Sequence, residues 1–147
     1  MREELDRDVR LAVMRGFVDE GHALAPDELA RVLGVEQVEV ERSLQRLAEA
    51  HVLVLAPGTP YIWMAAPFSA IPTTFRVRAG ERTWWGNCIW DALGVLATIG
   101  SDGSVSTTCP DCGETIDVVV EGERARGEGV VHYAVPAAEW WEDIGAT

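Results

Sequence analysis

The chain has 147 residues, a net charge of −12, no lysine, and 48% hydrophobic residues. That length builds one ordinary domain or two small lobes sharing a core, and that hydrophobicity excludes a disordered chain. A surface this acidic repels a phosphate backbone, so nucleic acid is not expected as a partner.

The start, Met1-Arg2-Glu3-Glu4-Leu5-Asp6, is charged and lacks the apolar run of a leader peptide. No apolar stretch is long enough for a membrane span, so the expected compartment is the cytoplasm, where thiols stay reduced. Leu5, Val9, Val13 and Phe17 recur at helical spacing, with Leu11 and Met14 widening the stripe, and predict a helix over 5–18 ended by Gly21. A short helix is expected from Pro26 to Leu33, stopped by Gly34. A third runs from about Glu36 to Ala50 with Val40, Leu44 and Leu47 inward. Val52–Leu55 and Tyr61–Met64 read as strands joined by the Pro57–Pro60 turn.

Three helices and a hairpin make a winged helix-turn-helix pattern. Such a unit reads DNA or serves as a structural lobe. The third helix carries Glu36, Glu39, Glu41 and Glu49 against Arg42 and Arg46, which favours the lobe.

Pro67–Pro72 reads as a linker. Thr73–Val77 alternates like a strand up to the Gly80 break. Trp84–Asn87 leads into a helix from Cys88 to about Ile99, closed by Gly100 and Gly103. Val105–Thr108 and Thr115–Val120 predict a hairpin around the Cys109–Gly113 turn. Glu121–Gly129 reads as a polar loop, Val130–Val135 as a last strand, and Ala137–Asp143 as a short helix. The expected fold is α+β. A winged-helix-like three-helix lobe fills residues 1–68, and a small mixed or antiparallel β-sheet core fills 69–147, with a helix bearing Cys88 and Asp91.

The three cysteines gather in two short segments. An odd number fits metal or catalytic use better than a disulfide framework. Asn87 is a favoured N-cap residue, so Cys88 is expected in the first helical turn, where unpaired N–H groups lower a thiol pKa. Asp91, three residues on, shares its face and suits a proton carrier. The plainer alternative is a buried cysteine beside a solvated aspartate.

Cys109-Pro110-Asp111-Cys112-Gly113 resembles one knuckle of a zinc ribbon. A closed zinc site needs four ligands. Cys88, Cys109 and Cys112 with His132 are one possible set, and Asp91 could stand in for His132. A simple hairpin turn is the other reading. His22 and His51 read as surface or capping residues. Six tryptophans are many for this length. Trp84, Trp85 and Trp90 flank Cys88, and Trp85 and Trp90 are candidates for pocket walls, with core packing as the default.

Together these segments resemble the alkylmercury lyase (organomercurial lyase) family. The most specific stretch is Trp85-Gly86-Asn87-Cys88-Ile89-Trp90-Asp91-Ala92-Leu93-Gly94. Ser106–Gly113 is similar to a cysteine-bearing hairpin of the family, and Val131–Pro136 through Trp141–Ile144 to the strand and helix that follow. The resemblance implies protonolysis of carbon–mercury bonds. Cys88 would match the first catalytic cysteine, Asp91 the catalytic aspartate, and Cys109 a structural cysteine. It implies a second catalytic cysteine soon after the segment like Trp140–Asp143, and the sequence ends at Thr147 without one. The expectation is a shortened member, or a relative of altered activity in which Cys109 or Cys112 supplies the second thiol.

No organic cofactor is implied. Hg(II) would remain on sulfur as the product until small cytosolic thiols remove it. The rival readings are a thiol-based zinc- or mercury-binding protein and a metal-responsive winged-helix regulator. The sequence sets no oligomeric state.

Overall fold

A computed structural model describes residues 1–146. Helix α1 spans Arg2–Arg15 and widens into a π-helical turn, Gly16–Glu20, closed by left-handed Gly21. Helix α2 spans Pro26–Leu33. Its entry is fixed by the Ala25 N–H donating to Glu28 Oε2 at 2.8 Å. Helix α3 spans Gln37–Glu49. The apolar stripes behave as their spacing predicts: Val9, Val13, Phe17, Val40 and Leu44 are at most 1% exposed. Leu11 departs from its stripe and lies exposed. Asp6 ties α1 to α3 by accepting from Ser43 Oγ at 2.6 Å and from Arg46 Nε and Nη2. One of the few cations of α3 is thereby turned inward.

Eight strands form one antiparallel sheet: β1 (Val54–Leu55), β2 (Ile62–Ala65), β3 (Phe68–Ser69), β4 (Phe75–Ala79), β5 (Arg82–Gly86), β6 (Gly103–Thr108), β7 (Thr115–Glu121) and β8 (Arg124–Arg126). Their spatial order is β1-β2-β3-β5-β4-β6-β7-β8. Helix α4 (Ile89–Ile99) packs Ala92, Val95 and Leu96 onto its middle strands. A 3₁₀ turn, Ala137–Glu142, follows the last strand.

Several elements differ from the sequence expectation. The stretch read as a linker contains β3, entered through a cis Ala66–Pro67 bond. Arg82–Gly86 is a strand, not a lead-in. Val130–Val135 forms no strand, and β8 arises within the stretch read as a polar loop. The reason is the turn: Gly122 and Glu123 both have positive φ, which suits a two-residue hairpin and sends the chain straight back along β7. The segment after Gly129 leaves the sheet, and Val130 is 94% exposed.

The helical part and the sheet share one core. The Phe17 and Phe68 rings stack with centroids 5.0 Å apart, and Trp84 Nε1–H donates to the Phe17 carbonyl at 2.7 Å. Among the described residues no helix is long and apolar enough to cross a membrane.

Candidate functional site

Strand β5 runs almost directly into α4. A side chain at Gly86 would place its Cβ 2.5 Å from the Ala92 nitrogen, so only glycine permits this close approach. Gly86 also pairs with Phe68 on one side and Phe75 on the other, which fixes where the helix starts. Cys88 itself is the N-cap, in extended backbone, and its Sγ accepts the Asp91 N–H at 3.4 Å. This corrects the expectation that Asn87 caps the helix. Asn87 instead donates through Nδ2 to Asp91 Oδ2 at 2.9 Å and to the Phe68 carbonyl at 3.2 Å. Two acceptors on one nitrogen settle the orientation of the amide. Its Oδ1 is buried without a hydrogen-bond partner among the described residues.

The electrostatics also differ from expectation. Burial pushes the Cys88 thiol pKa up. The Asp91 and Trp90 N–H groups oppose this, and the Asp91 charge adds to it. Desolvation outweighs the helix N-terminus, so the resting sulfur holds its proton more tightly than a free cysteine. Burial raises the Asp91 pKa too, offset in part by the Asn87 hydrogen bond. Tyr133 is raised by burial and by the charges of Cys88 and Asp91, which places its hydroxyl within reach of both fields.

Cys88 and Asp91 line one cavity of about 350 Å³. Its walls come from distant parts of the chain: His51–Leu53 before β1, Val54 in it, Met64 in β2, and Tyr133, Trp140 and Trp141 from the C-terminal segment. The aromatic walls are therefore not the predicted ones. Trp85 does not line the cavity, and Trp90 points outward, 70% exposed. His51, read from sequence as a surface or capping residue, stacks on Trp141 with centroids 4.1 Å apart and planes 3° from parallel. Its backbone is left-handed, φ 58°. A more open groove of about 670 Å³ lies beyond this stack and contains no cysteine. The only sequence hints of these walls were the clustered tryptophans near the end and a histidine at a helix terminus.

Cys109 and Cys112 lie on the β6–β7 turn, outside the cavity. This turn leaves the sheet at the same end as Cys88, since Arg76 faces Ser106 while Phe75 faces Gly86. Strand β4 stands between them, two interstrand spacings or about 10 Å in all. The four-ligand set of Cys88, Cys109, Cys112 and His132 is therefore not assembled: among the described residues no group of three or more His, Cys, Asp or Glu is gathered for a metal ion. His132 lies in the exposed stretch that leaves the sheet, instead of on the last strand expected over Val130–Val135.

A family model described as MerB, alkylmercury lyase, matches residues 68–147. No curated protein matches the chain. Among solved structures the chain is similar to one titled as the crystal structure of the mercury-bound form of MerB2. The two are 22% identical with a TM-score of 0.61, and the match covers 84% of this chain and 66% of that one. This chain thus spans just under two thirds of that protein's length, and at this identity the likeness shows the fold.

Proposed function

Because this chain belongs to the alkylmercury lyase family, we propose that Cys88 captures an organomercurial and that Asp91 carries the proton which cleaves its carbon–mercury bond. The carrying observation is that both residues line the same cavity, joined by the Asp91 N–H···Sγ contact, with Asn87 holding the carboxylate in place. Mercury is soft and prefers sulfur to oxygen or nitrogen ligands.

In the first step the Cys88 S–H bond and the bond from mercury to its incoming ligand, a thiolate or halide, break as an S–Hg bond forms; that ligand departs as an anion and the thiol proton moves to the Asp91 carboxylate. Burial favours the protonated carboxyl, so Asp91 keeps that proton close by. In the second step a second thiolate binds mercury and pushes electron density onto its carbon. Asp91 then gives its proton to that carbon, a general-acid step. Hydrocarbon leaves, mercury stays between two sulfurs, and Asp91 is ionised again. The apolar walls of Met64, Trp140 and Trp141 suit the organic group.

Since Cys109 and Cys112 do not line the cavity, the second sulfur in this reading comes from a small thiol. Methane or benzene release from methyl- or phenylmercury is measured with and without excess monothiol. The parent chain releases hydrocarbon only with the thiol, and Cys88→Ser abolishes release. Asp91→Asn lowers the rate by about 10²–10⁴. Full activity in Cys88→Ser ends this reading.

A further inference from the structure

The chain holds a pair of thiols that the Cys88 cavity does not use. Strands β6 and β7 end at the Thr108–Thr115 pair. Beyond it the Cys109 N–H donates to the Glu114 carbonyl at 2.8 Å and the Gly113 N–H to the Cys109 carbonyl at 2.9 Å. Gly113 takes φ +75°, a left-handed conformation suited to glycine. The Gly113-to-Cys109 bond spans one turn, and Cys109 and Cys112, three residues apart, share a side of it. Both cysteines are free, Cys112 is exposed and Cys109 half-buried.

We propose that Cys109 and Cys112 form a chelating dithiol site for a soft ion that takes two sulfur ligands, such as Hg(II), separate from the Cys88 cavity. Two features carry this. The closed turn already holds the two cysteines on one side, so little order is lost on binding. No third or fourth ligand stands by among the described residues, which suits two-coordinate mercury and not a closed tetrahedral zinc site. Loading is an exchange without redox change. A mercury bis-thiolate gives its ion to the pair, two S–Hg bonds break and two form, and the two thiol protons pass to the departing thiolates.

The test uses the full chain carrying Cys88→Ser, so the outcome is independent of the proposed lyase activity. It is loaded with one equivalent of Hg(II), challenged with excess monothiol and weighed by native mass spectrometry. One mercury per chain is retained. Adding Cys109→Ser or Cys112→Ser weakens retention at least about 100-fold, the gain that a second tethered ligand supplies. Equal retention without Cys112, or one ion per two chains, overturns the proposal. Phenylarsine oxide gives a test on the unaltered chain. Its arsenic binds two thiols with loss of water, and peptide mapping places it on Cys109 and Cys112. An adduct on Cys88, or none, also overturns the site.

Discussion

At the residue scale, the three thiols are set apart by their surroundings. Burial raises Cys88, whereas main-chain N–H groups lower Cys109. Iodoacetamide near neutral pH therefore alkylates Cys109 before Cys88, because the thiolate is the nucleophile; mass spectrometry of a time course reads the order. Asp91→Asn removes a negative charge beside the Cys88 sulfur and shifts its alkylation midpoint to lower pH. The same substitution tests stability. The folded pKa of Asp91 lies above its ordinary 3.8, so the stabilising contribution of its proton is full below 3.8 and lost as pH rises through the folded value. Asp91→Asn is accordingly more stable than the parent at neutral pH, and the gain vanishes in acid. The pairing of Cys88 with Asp91 was legible because residues three apart share a helix face. The roles of Asn87, His51 and Tyr133 were not, since each depends on segments that only tertiary packing brings together. The direction of the Cys88 shift was also hidden: sequence locates a helix start but not how much water reaches it.

At the element scale, helices were read well because α1 with its π-helical turn, α2 and α3 carry apolar residues at helical spacing and are closed by Gly21, Gly34 and Ala50. Strands were read less well where side chains gave no alternation. Arg124–Arg126 is exposed at every position and is held through its main-chain pairing with β7. Val130–Val135 has β-branched residues, yet glycines before it and Pro136 after it isolate it from any partner strand. The joint between β5 and α4 is the element on which the site depends. Gly86→Ala forces a methyl into the Ala92 backbone and costs about 1–3 kcal/mol, the range for overpacking. Urea denaturation measures the loss, and slower mercury capture at Cys88 accompanies it.

At the scale of the whole molecule, the helices and the sheet are joined through the Phe17–Phe68 stack and the Trp84–Phe17 hydrogen bond. Phe68 is fully buried, so Phe68→Ala lowers stability by about 3–5 kcal/mol. Far-UV circular dichroism and tryptophan fluorescence then report a coincident unfolding transition at lower denaturant. The α+β class and the helix bearing Cys88 were legible in the order of elements. The single sheet running from β1 to β8 was not, because the short strand β3 that joins its two parts looked like a connection. The cavity's aromatic wall comes from Tyr133, Trp140 and Trp141, all distant in sequence from Cys88. A ribosome delivers that sulfur to solvent well before it delivers its roof. The nascent protein passes through a stage when its most guarded thiol is bare, and any thiophile met then competes with folding itself.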